Sequence, residues 1–292
     1  QSKSLDAVYC AASDLKEVII PSSVKILKSY CFSGCKNLES IKFEENSQIE
    51  KIESWLLCEN LKTLEIPKTL NIDAFTFANS LVSLEISPEN EVFKYVDNSM
   101  LIEGNRLWFC RRNVTEVVIP NYITEIGRNA FKMCKNLVSI SFEENSSLES
   151  IYKNAFYDVP GQENLVIPAS VKYLSKYVFL NMENVKTIVF LGEEVEISKG
   201  CFGCCSNLVS VSFPNAKKIV YNNEIPKKTK IYLKKDAEIT GTEVDEENIE
   251  FIIEKQEIKN EENFVLDQDQ QLKEAQNQET NENNSSKCCL LI

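Results

Sequence analysis

The sequence predicts a repeat solenoid in which short parallel strands stack into one sheet, joined by irregular or helical return segments and interrupted by one β-hairpin insertion. Three observations predict it. The segment 35–47, CKNLESIKFEENS, returns 99 residues later as CKNLVSISFEENS at 134–146. The shorter pattern Leu-x-x-(Ile/Leu/Val)-x-(Ile/Phe) recurs throughout, its last residue marking Ile20, Phe43, Ile66, Ile86, Ile119, Phe142, Ile167, Phe190, Phe213 and Leu233 at spacings of 23, 23, 20, 33, 23, 25, 23, 23 and 20. A Pro follows the marker at Pro21, Pro67, Pro120, Pro168 and Pro214, and a Phe column (Phe32, Phe75, Phe131, Phe156, Phe179, Phe202) precedes each next strand by six residues. Self-similarity at such a period identifies a stacked-repeat architecture before any single strand is assigned.

Each unit has a physical reason. Alternate residues of a strand point to opposite faces, so the marker Ile or Phe and the residue two before it turn inward. Pro lacks an N–H and ends the strand. One unit cannot bury its own apolar side, whereas stacked units bury it against their neighbours, so the Phe column is expected to form an internal spine. Coil four is short, with Ala74-Phe75 arriving early after Pro67; coils two and six replace the Pro with Glu44-Glu45-Asn46-Ser47 and Glu143-Glu144-Asn145-Ser146. The 33-residue spacing holds an insertion, 93–110, in which Ser99-Met100-Leu101-Ile102 and Arg106-Leu107-Trp108-Phe109 flank Glu103-Gly104-Asn105 and read as a hairpin. The first coil starts midway, with Val8-Tyr9 where the small-Phe pair belongs, so further residues are expected upstream. About ten coils thus occupy 1–235, and 236–292 form an acidic, Gln/Asn-rich tail that buries too little apolar area to offset its ordering entropy, although 248–253 could add a terminal strand.

Composition narrows the functions. There is no His among the 292 residues, which removes imidazole bases and His-ligated zinc, and no apolar run approaches the roughly 18 to 20 residues of a spanning helix. Residues 1–235 carry 28 Lys+Arg against 28 Asp+Glu and the tail 4 against 16, so the net charge of −12 resides in the tail. A neutral body and an acidic tail offer no basic surface for nucleic acid, and none is expected as a partner.

The stretch 117–137, VVIPNYITEIGRNAFKMCKNL, resembles the unit of the BspA-like leucine-rich-repeat family, and the resemblance extends in register over about residues 5–235. It implies a leucine-rich-repeat solenoid and a binding surface, often that of an adhesin, rather than a reaction. Similar hairpins occur in the family.

Eleven cysteines, with Cys31-x3-Cys35 and Cys201-x2-Cys204, raise zinc or thiol redox chemistry, which needs ligands converging on one point. The repeat frame favours packing instead. Cys35, Cys58, Cys134 and Cys205 stand three residues before a strand-opening Leu, and Cys31 and Cys201 take the small position otherwise held by Ala74, Ala130 and Ala155. Disulfides between stacked coils and a metal site are the lesser alternatives, and no cofactor is expected.

A solenoid presents the outward positions of its strands. The fifth position of the pattern is uncharged in the C-terminal half, and Thr115, Val118, Val138, Ser139, Ser141, Thr187, Val189, Val209, Ser210 and Ser212 are the expected protein-binding face, since interface cores are depleted in charge. The same residue types also simply suit an exposed strand. Trp108, Arg111 and Arg112 are expected either as hot-spot anchors or as packing of the hairpin onto the solenoid.

The chain closes on Cys288-Cys289-Leu290-Leu291-Ile292, a C-a-a-X box with Cys289 as the prenylated thiol and Cys288 as a second, palmitoylated position. One lipid alone gives marginal membrane residence. The leading expectation is therefore a noncatalytic protein-binding scaffold on the cytoplasmic face of a membrane, its partners an unidentified protein and membrane lipid. The alternative is a BspA-like cell-surface adhesin for host or matrix proteins. A thiol or metal enzyme built on Cys201, Cys204 and Cys205 is disfavoured for want of a base or a Gly-rich loop.

Overall fold

A computed structural model describes residues 14–28, 31–32, 34–52, 60–68, 81–222, 226, 228–241 and 248–252. The repeated strand pattern forms one column of parallel strands: β1 (Glu17–Ile20), β3 (Ser40–Phe43), β5 (Thr63–Ile66), β6 (Ser83–Ile86), β10 (Glu116–Ile119), β12 (Ser139–Phe142), β14 (Asn164–Ile167), β16 (Thr187–Phe190), β18 (Ser210–Phe213), β20 (Lys230–Leu233) and β22 (Ile249–Phe251). In β10 the alternation is direct, with Val117 and Ile119 buried and Glu116 and Val118 exposed. β21 (Glu238–Gly241) and β22 both lie beyond the tail boundary expected at 235, because Ile252 N–H still finds the Leu233 carbonyl at 2.9 Å.

The strands do not make one sheet. A second column runs through the part of the coils that follows the marker strand: β2 (Ile26–Leu27), β4 (Lys51–Ile52), β11 (Glu125–Ile126), β13 (Ser150–Ile151), β15 (Tyr173–Leu174), β17 (Glu194–Ile197), β19 (Lys218–Tyr221) and β21. From β11 to β21 this column is parallel throughout and continues the antiparallel insertion β7 (Phe93–Val96), β8 (Met100–Glu103) and β9 (Arg106–Cys110) into a nine-stranded sheet. The apolar residue of each return, such as Ile126 or Ile151, thus pairs with its neighbour instead of only filling space.

Of the irregular or helical return segments expected, the described ones are irregular, and no α-helix occurs among the described residues. Four successive returns each carry two left-handed residues four apart: Asn129 and Met133, Asn154 and Asp158, Tyr177 and Asn181, Gly200 and Cys204, with φ between 56° and 75°. A positive φ on every fourth residue cannot propagate a right-handed helix. Alternate N–H groups then point along the stack. Phe131 N–H donates to the Ala155 carbonyl at 2.8 Å, Phe156 to Val178 at 2.9 Å and Phe179 to Cys201 at 3.0 Å. These bonds set the Phe rings one coil apart, and the spine expected from the sequence is present from Phe131 to Phe202 as three parallel stacks.

Two cores meet at the insertion. The N-terminal core runs from Ile20 to Trp108 and Phe109, and the C-terminal core from Met100 to Leu233. β8 and β9 serve both: Leu101 and Phe109 enter the first core, while Met100, Ile102, Leu107 and Cys110 enter the second. The long spacing between Ile86 and Ile119 is filled by a hairpin that is core on both faces.

Side chains bridge the places where the strand column is interrupted. At the edge of β6, the Tyr95 hydroxyl donates to the Leu84 carbonyl at 2.7 Å and accepts from Leu84 N–H at 3.3 Å. Between β12 and β14, where the coil is two residues longer, the Gln162 amide donates to the Ile140 carbonyl at 2.7 Å and accepts from Ile140 N–H at 2.8 Å. Buried backbone groups need partners, and these two side chains supply them.

Candidate protein-interaction face

Register decides which side chains share the outer surface of the strand column. β10 pairs with β12 so that Val118 lies beside Ser141, and β14, β16, β18 and β20 align Val166, Val189, Ser212 and Tyr232. These six rungs form an uncharged row. The corresponding N-terminal rungs are Ile19, Lys42, Glu65 and Glu85, with Lys42 paired to Glu17 at 2.8 Å. Lys42, Glu65 and Glu85 thus set the N-terminal rungs apart from the six between Val118 and Tyr232, after which the row ends on Glu250.

The flanking rows differ. Ser139, Thr187 and Ser210 stand in the row of Glu116, Asn164 and Lys230, where the Thr187 hydroxyl donates to Asn164 Oδ1 at 2.7 Å. Thr115, Val138 and Val209 lie just ahead of the strands. Val138 and Val209 are 49% and 58% exposed, more than Val118 at 40%, and in the same row Glu163 and Lys186 form an ion pair of 2.7 Å. An exposed pair of this kind contributes little to stability, of the order of 1 kcal/mol or less. Tyr232 was not singled out from sequence, and the signal that finds it is its register opposite Ser212. Desolvation and then the Glu250 carboxylate push its phenol up.

Each of the three hairpin residues has its side chain engaged within the chain. Trp108 is 8% exposed, and its indole N–H donates to Glu103 Oε2 at 2.9 Å beneath the Arg106 guanidinium, which lies 4.1 Å from the ring centroid. Arg111 stacks on Tyr95 at 4.5 Å. Arg112 covers Phe109 at 4.4 Å and donates to the carbonyls of Cys110, Ala130 and Asn129.

The cysteines follow their coil positions. Cys31, Cys35, Cys110, Cys134, Cys201 and Cys205 are buried free thiols and Cys204 is exposed. Cys201 donates to the Ser175 carbonyl and Cys205 to that of Phe179, both at 3.0 Å. Burial pushes Cys201 up to about 12 and Cys205 up to about 11, which keeps both protonated. No group of ligating side chains converges among the described residues. Cys58, Phe75, Cys288 and Cys289 lie outside the described residues.

The model of the BspA type leucine-rich-repeat region matches residues 3–102 and 102–231 in six copies. The chain belongs to the BspA-type leucine-rich-repeat family. BspA-type proteins are typically noncatalytic scaffolds, and the repeat surface supports a protein-binding role. Among solved structures, the chain is similar to the pneumococcal vaccine antigen PcpA, with a TM-score of 0.59, 20% identity, and coverage of 79% of this chain and 69% of that one. It is also similar to a leucine-rich-repeat protein from Eubacterium ventriosum, with a TM-score of 0.56, 18% identity, and coverage of 76% and 69%. Both likenesses show the solenoid fold. No curated protein sequence matches the chain.

Proposed function

We propose that the chain is a noncatalytic scaffold that binds a protein partner across the C-terminal half of its strand column, centred on Val166 and Val189. One observation carries this reading: the six uncharged rungs from Val118 to Tyr232, next to a charged N-terminal half on the same kind of strand. Desolvating Val, Ser and Tyr on a fixed backbone costs little, because no charge is stripped of water and no strand must be ordered on binding. A photo-crosslinking residue placed at Val189 should capture a protein in the native cells, and one at Glu65 should not. Capture at Glu65 alone would overturn the assignment of the face.

The scaffold is held at the cytoplasmic face of a membrane by a prenyl group on Cys289, with Cys288 as a second acyl site; the four residues 289–292 support this reading. Cys289→Ser should then move the protein from the membrane fraction to the cytosol, and Cys288→Ser should weaken retention. The second reading, a cell-surface adhesin, draws on the family resemblance and on the vaccine-antigen description of the pneumococcal protein that shares the fold. The intact mass of protein from native cells separates the two, since a lipid adduct at Cys289 requires the cytosol and its absence from an extracellular product requires export.

A further inference from the structure

The end of the hairpin holds a cluster that neither the binding face nor the tether uses. Cys110 closes β9 and Cys134 closes the next return segment, and both are 0% exposed. The two thiols share the Arg111 carbonyl, at 3.6 and 3.9 Å. Arg112 reaches in from the chain just after β9. Its Nη1 lies 3.3 Å from Cys134 Sγ while also donating to the carbonyls of Cys110 at 2.9 Å and Ala130 at 2.8 Å.

A guanidinium taken partly out of water ordinarily finds a carboxylate. Among the described residues, Arg112 has no ion pair with one. The other charges nearby are Lys132, whose ammonium is lowered by burial and then by Arg112, and Asp158, which is itself paired to Lys135 at 2.6 Å. The group left to balance Arg112 is the sulfur of Cys134. Cys201 and Cys205 show the contrast, since their thiols face only backbone carbonyls or one another's coil and stay protonated.

We propose that Cys110 and Cys134 are a redox pair, in which Cys134 is the peroxide-reactive sulfur and Cys110 resolves it to an internal disulfide that fastens β9 to the coil following the hairpin. The chemistry balances in two steps. The Cys134 thiolate attacks hydrogen peroxide, taking one oxygen to become a sulfenic acid while hydroxide leaves. The Cys110 thiol then attacks that sulfur; the S–S bond forms, the S–O bond breaks, and the Cys110 proton leaves with the oxygen as water. Peroxide is the fitting oxidant because it is close to water in size, whereas a bulky disulfide could not reach two sulfurs without exposed surface. Burial pushes the Cys134 thiol up, but its hydrogen bond from Cys110 and the Arg112 charge outweigh burial and lower it to about 7, while Cys110 is pushed well up and serves as the proton-bearing partner. The bond would fasten the last strand of the hairpin to the following return segment within the C-terminal core.

The test uses the full chain. Dilute peroxide at neutral pH, trapping of remaining thiols in denaturant and peptide mass mapping should find Cys110 linked to Cys134, with Cys201 and Cys205 alkylated. In Cys110→Ser, a sulfenic-acid trap such as dimedone should label Cys134, with a rate that rises through a midpoint below the ordinary thiol range, because the Arg112 charge is retained. Adding Arg112→Gln, which keeps hydrogen bonds and removes the charge, should move that midpoint toward the ordinary thiol range near 9. Peroxide that oxidises exposed Cys204 and leaves Cys110 and Cys134 as thiols would overturn the proposal. So would a pH midpoint for Cys134 in the ordinary range while Arg112 is present.

Discussion

The ring of Phe131 lies flat on that of Phe156, with centroids 4.8 Å apart and planes 6° from parallel. That separation matches the spacing between neighbouring β-strands, and the later pairs of the spine open to 5.7 and 6.1 Å. Phe156 is stacked on its other side by Phe179 at 5.7 Å, which leaves no direction in which the surroundings can close over a lost ring. Phe156→Ala should therefore cost about 3 to 5 kcal/mol, read from a denaturant melt. A loss of a few tenths would mean that the spine is not a core.

Gln162 replaces two backbone hydrogen bonds with one side chain. Gln162→Leu should leave the Ile140 amide and carbonyl without partners at a cost of about 1 to 3 kcal/mol. Hydrogen exchange at Ile140 should quicken, whereas exchange at Ile188 within the intact β14–β16–β18 ladder should not. Equal changes at both would show that the effect is global and that Gln162 is no local bridge.

Gly127 sits where β9 and β11 meet. A Cβ there would stand 2.8 Å from the Leu107 carbonyl oxygen, a backbone atom of the hairpin that cannot swing aside. Gly127→Ala should destabilise by about 1 to 3 kcal/mol through overpacking and should loosen the Arg106–Trp108 contact. Thermal melting, together with the Trp108 fluorescence of a variant in which Trp55 is replaced by Phe, would read both effects.

The buried thiols predict a loss of stability in alkali. Cys201 and Cys205 are pushed up to about 12 and about 11 from 9.0, so between these values the unfolded chain has released protons that the folded chain still holds. Where the unfolded state binds fewer protons, stability falls as pH rises. The melt should therefore weaken from about pH 9 upward, and the double variant Cys201→Ala, Cys205→Ala should show a shallower decline. An identical alkaline slope in that variant would mean that these thiols are accessible and titrate normally.

The period, the inward columns and the hairpin were legible in the sequence because each depends on a residue's neighbours along the chain. A repeat of about 23 residues sets equivalent positions on equivalent sides of a coil, and the buried residues Ile119, Phe131 and Leu137 need no more than that to be assigned. Even the cysteines that stand in for Ala could be read as packing from their place in the frame.

What the tertiary structure decided concerns contacts between coils and across the insertion. Two-residue strands such as β11 and β13 carry too little pattern to be seen alone, and they exist because stacking places their backbones side by side. The sequence leaves Arg112 between a hot-spot anchor and hairpin packing, and in the fold it turns back onto the carbonyls of Cys110, Ala130 and Asn129 and the sulfur of Cys134. Cys110 and Cys134 belong to different patterns, one ending an insertion and one repeating in a column. Local sequence sets which side of a coil a residue faces; which residue of another coil it then meets depends on long-range register, and only the assembled stack specifies that.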